Sequence, residues 1–170
     1  MKFSMKHDNH DGSRTLTLSW TLMVPARGVD AIPRDPGGIL SPSVIHEVLA
    51  ESQAGKLVFP EVVRRLVEVG VESYFCDLAT GVGAFYMCDG KTHLEKMTLP
   101  MAPIAEGFSS SELIAAIRGA QTDAIRYPEF VKRSTAAGVI AYWAFLTGRK
   151  VIYFGRKGEF HVEEFPRARS

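Results

Sequence analysis

The sequence predicts an α+β fold. One helix–helix–strand–strand–strand unit is used twice, and the copies close into a pseudo-twofold domain of antiparallel sheet with helices packed on it. Three observations predict this. The stretch "FPEVVRRLVEVGV" at 59–71 returns as "YPEFVKRSTAAGV" at 127–139. An apolar stripe at helical spacing precedes each copy, and short strand-like runs punctuated by glycine follow each copy. A helix pair cannot cover its own apolar face, and neither can a three-stranded sheet, so the second copy supplies the cover.

The elements follow in order. In "SVIHEVLAESQ" at 43–53, Val44, Ile45, Val48 and Leu49 form one helical stripe, with Ser43 as the expected N-cap. In the next helix Pro60 suits the first turn, where its missing N–H costs nothing, and Phe59, Val62, Val63 and Leu66 make the stripe. Gly70 is placed for a left-handed C-cap with Val71 behind it. "ESYFCDL" at 72–78, "AFYMC" at 84–88 and "THLEKM" at 92–97 read as three strands, and "LPMAPIAEGF" at 99–108 as a proline-rich crossover.

The pattern then restarts. "SSELIAAIRGAQ" at 110–121 matches the first helix, with Ser111 on Ser43 and Gln121 on Gln53. Tyr142 falls on Tyr74. Aligning "TGRKVIYFGR" with "TGVGAFYMCD" drops one residue in the turn and sets Tyr153 on Tyr86; the residue is regained before His161 and Glu163, which fall on His93 and Glu95. In "VIAYWAFL", Ile140, Tyr142, Ala144 and Leu146 face one way, while Ala141, Trp143 and Phe145 face the other. A strand apolar on both faces belongs at the centre of a sheet. The sheets join into one layer with helices on one face, or stay as two layers; period-2 patterning leaves both open.

The repeats occupy 43–97 and 111–165 within one domain, 42–166, followed by a short tail at 167–170. Residues 1–41 differ in texture. "PARGVDAIPRDPGGILSP" holds four prolines and three glycines, a loop or linker composition. "TLTLSWTL" alternates like a strand, so a strand, a disordered extension and an upstream-start artefact are open readings.

Composition excludes more than it assigns. Lys plus Arg is 20 against Asp plus Glu of 19, and the net charge of +1 gives no global pull toward nucleic acid or anionic membrane. The local basic stretches "VKR" and "GRKGE" lie among acidic residues, which argues against a nucleic-acid partner. No run approaches about 18 apolar residues, so no membrane span is expected. The polar, acidic start does not read as a secretory signal. Cys76 and Cys88 are too few for a disulfide framework, and both read as buried free thiols of a cytoplasmic protein.

No phosphate loop, dinucleotide fingerprint, His-Glu-x-x-His or Cys-x-x-Cys is present. No cofactor and no metal is expected; a site using both His93 and His161 would need the pseudo-symmetry to bring them together. The remaining candidates lie on the strands. His161 and Glu163, two apart on one face, with Tyr153 nearby, have the makings of a general base oriented by a carboxylate. Tyr74, Tyr86, Tyr142, His93 and Arg156 are candidates for lining a ligand site between the copies. The leading expectation is binding of a small molecule or protein partner between the repeats. A hydrolase or isomerase using His161 with Glu163 is the second, and a phage-related structural or interaction protein the third.

Together "FPEVV", "YPEFV", "AAGV", "GRKVIYFGR" and "FHVE" resemble the YbcV-like bacterial family over about residues 43–166. The resemblance implies a small protein of unknown function, sometimes labelled a phage envelope protein. It carries no functional residue onto this chain.

Overall fold

A computed structural model describes residues 42–99 and 102–165. The expectations for 1–41 and for the tail at 167–170 lie outside these residues. Ten elements follow the expected order: α1 (Pro42–Gln53), α2 (Phe59–Glu68), β1 (Val71–Asp77), β2 (Val82–Met87), β3 (Thr92–Lys96), α3 (Ser110–Gln121), α4 (Tyr127–Ala136), β4 (Val139–Phe145), β5 (Lys150–Gly155) and β6 (Phe160–Glu164). The fold is α+β with the unit duplicated.

Both half-sheets join into one antiparallel sheet, β3-β2-β1-β4-β5-β6. The join is the β1–β4 pair, where Phe75 lies opposite Trp143. These two residues occupy equivalent repeat positions, so the pseudo-twofold axis passes between them. Tyr74 accordingly meets Ala144, and Cys76 meets Tyr142.

Alternation then sorts every strand. Tyr74, Cys76, Phe85, Met87, Tyr142, Ala144, Val151 and Tyr153 are buried in one core with Ile45, Val48, Val63, Leu66, Leu113, Ile117 and Val131 from the helices. All four helices therefore lie on one face. Phe75, Tyr86, Trp143, Phe145, Ile152 and Phe154 are half-buried and stand on the other.

Local chemistry sets the ends. Glu61 reaches back to the Val58 N–H at 3.2 Å, and proline occupies the first turn of both α2 and α4. Two expected caps are corrected. α1 already includes Pro42 and Ser43, and Ser109, not Ser111, caps α3 by accepting from the Glu112 N–H at 3.4 Å. Ser109 precedes the first helical residue, where the chain is still extended and a hydroxyl can turn back.

The expected one-residue loss is also corrected. β2 and β5 keep the same offset as the rest, so Tyr153 is equivalent to Phe85, and Tyr86 to Phe154. The shared "TG" drew the alignment off register. In the structure the left-handed turn position is Gly81 in the first copy and Arg149 in the second, at φ 70° and 52°. Their carbonyls make the same contact, accepting from Met97 N–H at 2.7 Å and Phe165 N–H at 2.8 Å.

Gly70 and Gly138 end α2 and α4 at φ 83° and 85°. Their surroundings differ. A Cβ on Gly70 would approach only the Met87 methyl, at 3.9 Å, whereas on Gly138 it would lie 2.2 Å from the Gly107 carbonyl oxygen. The crossover is anchored there by Ala105 N–H to Thr135 O and Ser109 N–H to Ala137 O. Gly70→Ala is expected to cost about 1–2 kcal/mol, the backbone penalty alone. Gly138→Ala is expected to cost about 3 kcal/mol or more, because the crossover must shift as well. Urea unfolding of both variants checks this.

Candidate functional site

Beneath the helices, where the repeats meet, lies a cavity of about 140 Å³. The α1–α2 and α3–α4 connections frame it, with Leu57, Phe59, Ile125 and Tyr127 at its walls; Tyr74, Cys76, Tyr142 and Tyr153 from the sheet also line it. The lining is chiefly apolar. Gln121, Asp123, Arg126, Glu163 and Glu164 also contribute to its lining, and between the Tyr127 and Tyr142 rings the hydroxyls meet at 2.9 Å. The Tyr74 ring packs edge-on against Tyr142 at 6.1 Å, and Tyr153 lies 5.8 Å from Tyr142.

Burial dominates the electrostatics. It pushes the Cys76 thiol up to about 11, although the hydroxyls of Tyr142 and Tyr127 beside it work the other way. Burial likewise raises Tyr74, Tyr127, Tyr142 and Tyr153 above the ordinary phenol value. At neutral pH the cluster is uncharged. It offers hydroxyl donors and acceptors but no anionic nucleophile.

The candidates divide accordingly. Tyr74, Tyr142, Tyr153 and Glu163 line the cavity. Tyr86 stacks on Trp143 at 5.5 Å on the opposite sheet face, a consequence of its true register. Arg156 sits in the β5–β6 turn and donates to the Ile104 carbonyl at 3.4 Å. Cys76 is buried as expected, but Cys88 is exposed, because β2 ends one residue earlier.

His93 and His161 lie on β3 and β6, at opposite edges of the sheet, so the pseudo-symmetry separates them. Each faces its own carboxylate, in a different setting. Glu95 meets His93 at 3.1 Å and His46 at 3.3 Å. Glu163 accepts from Arg118 at 2.6 Å and Gln121 at 2.9 Å, while His161 Nε2 stands 3.7 Å away. His161 Nε2 is buried without a hydrogen-bond partner. Among the described residues no group of three His, Cys, Asp or Glu side chains is placed to hold a metal ion.

Sequence reasoning missed Tyr127 and Cys76. The signal for Tyr127 was a difference between the copies: Phe59 in the first becomes tyrosine in the second, adding a hydroxyl within an apolar stripe.

A family model described as "Protein of unknown function (DUF1398)" matches residues 47–164, more than half of the chain. The chain belongs to this family. The matched stretch covers nearly all of both repeats and every strand. No curated protein gives a significant match. No helix among the described residues is long and apolar enough to cross a membrane.

Two outcomes are expected. Tyr127→Phe removes the hydrogen bond between the Tyr127 and Tyr142 hydroxyls and lowers stability by about 1–2 kcal/mol; adding Tyr142→Phe costs less than the sum of the single changes. Denaturant unfolding of the four-member cycle measures it. The second concerns acid. Burial opposes ionisation of Glu95, but hydrogen bonds from His93 and His46 outweigh it and hold the carboxyl below its usual value. Burial opposes Glu163 in the same way, and Arg118 and Gln121 outweigh it. Both groups therefore bind protons less readily when folded. Their stabilisation is present above pH about 4.5 and is lost as pH falls through the lowered folded values. The Glu95→Gln, Glu163→Gln double variant should be less stable at neutral pH and show a flatter decline below pH about 4.5 in thermal melts.

Proposed function

We propose that this domain binds a small, largely apolar molecule carrying one polar group, in the cavity where the repeats meet. The paired Tyr127 and Tyr142 hydroxyls in the 140 Å³ cavity carry the reading. A ring of benzene size suits such a volume, since a dry cavity of about 150 Å³ in another protein admits benzene. The phenols supply one donor and one acceptor for a hydroxyl or ring N–H on the ligand.

The reading places the protein in the cytoplasm, in keeping with the unpaired Cys76 and Cys88. The YbcV-like resemblance is retained as part of it, on the motifs "FPEVV", "YPEFV", "AAGV", "GRKVIYFGR" and "FHVE". A catalytic role for His161 with Glu163 has less support, because Arg118 and Gln121 already occupy the carboxylate.

Thermal shift and calorimetric titration with indole, p-cresol and toluene test the proposal. Indole and p-cresol should raise the melting temperature in proportion to log concentration, and toluene less. Ala120→Leu, which fills a part-buried lining position, should abolish the shifts. If no probe shifts the melt and Ala120→Leu raises stability, the cavity is a packing defect and the proposal fails.

A further inference from the structure

The sheet face turned away from the helices carries an apolar row from edge to edge. Strand register lines up Leu94, Ala84, Phe75, Trp143, Ile152 and Val162 as one continuous row across all six strands. Tyr86 and Phe145 flank the row on one side, and Phe154 and Phe160 on the other. The polar residues of this face are Thr92 and Lys96 on β3, Glu164 on β6, Lys150 at the end of β5, and Ser73 and Asp77 either side of Phe75 on β1. At the centre Trp143 packs on Phe75 at 5.8 Å, Tyr86 at 5.5 Å and Phe145 at 5.0 Å. Leu94 and Phe160 are about two-thirds exposed, at 65% and 66%.

We infer that this face is the interface of a homodimer, covered by the same face of a second copy. Size is the first argument. Six strands spaced about 4.8 Å apart, with five residues along each, span about 29 Å by 17 Å. That is about 500 Å² in projection, and two such faces bury about 1,000 Å², the threshold of a specific interface. Composition is the second: an aromatic centre with charges at the rim is interface anatomy, and about 500 Å² is the size of the largest apolar patch on a typical monomer, which is often functional.

Symmetry is the third. The pseudo-twofold axis pierces the centre of the face, so each half presents equivalent residues: Phe75 with Trp143, Tyr86 with Phe154, Leu94 with Val162. A dimer axis along or across the row therefore lays apolar row on apolar row, giving an isologous contact. The alternative cover is the chain's own residues 1–41. The row lies wholly within the family match at 47–164, and residues 1–41 lie outside it, which favours the second copy. The cavity is on the other side of the sheet, so this inference stands apart from the binding proposal.

The test is sedimentation velocity of the full 170-residue chain from about 1 to 100 μM, with acrylamide quenching of Trp143 in a Trp20→Phe background. The expected result is a species of twice 18.7 kDa, with Trp143 shielded in the dimer. Leu94→Lys with Val162→Lys changes only exposed ends of the row. This variant should keep its circular dichroism spectrum and weaken dimerisation about 100-fold or more, since each copy would bury two unpaired ammonium groups. A monomer throughout with Trp143 quenched overturns the inference and leaves the face to a different partner. A monomer with Trp143 shielded overturns it in favour of residues 1–41. A dimer unmoved by the double lysine change overturns it by placing the contact elsewhere.

Discussion

The pairing of β1 with β4 is the constraint on which the rest depends. Five paired positions join two half-sheets from segments far apart in the chain. Without this junction each repeat would be a three-stranded sheet under two helices, with its innermost strand edge unpaired and its apolar face half covered. With it, both edges are satisfied at once and one core runs under all four helices. The junction also explains why β4 is apolar on both faces: it is a central strand, and its Trp143 packs on Phe75 of β1 across the symmetry axis at 5.8 Å.

Symmetry in the backbone frees the side chains to diverge. Equivalent positions carry different chemistry on the two sides of the axis: Phe59 against Tyr127, Cys76 against Ala144, Phe85 against Tyr153. The second copy carries the extra hydroxyls of Tyr127 and Tyr153, and that of Tyr127 meets the Tyr142 hydroxyl. The carboxylates show the same divergence at the rims. Glu95 is served by two histidines, whereas Glu163 is served by an arginine and a glutamine. Leu66 and its counterpart Ser134 are both buried, yet Ser134 Oγ has no hydrogen-bond partner. An unpaired buried hydroxyl destabilises its helix relative to the leucine.

The two sheet faces carry separate roles in this picture. One face meets the helices and holds the cavity with its tyrosine cluster; the other presents an apolar row centred on Phe75 and Trp143. Strand alternation is what separates them, because neighbouring residues such as Phe85 and Tyr86 point to opposite sides. A shift of one residue in register exchanges the two sets.

That dependence divides what was legible from what was not. Element order, the proline-started and glycine-capped helices, the central position of β4 and the duplication were all readable, because they rest on local periodicity and on chemistry within a few residues. The same local reading went wrong by one residue where "TG" in each copy invited alignment. The error carried Tyr86 into the predicted pocket, and only the ladder from β1 to β2 and from β4 to β5 returned it to the far face. His93 and His161 were correctly paired as equivalents, but equivalence said nothing of distance, and the strand order set them at opposite edges. By itself the sequence determined that two like units would each expose an apolar face needing cover. The tertiary structure decided which residues share the covered space, because Tyr127, Cys76 and Tyr142 meet only through the antiparallel pairing of strands 68 residues apart.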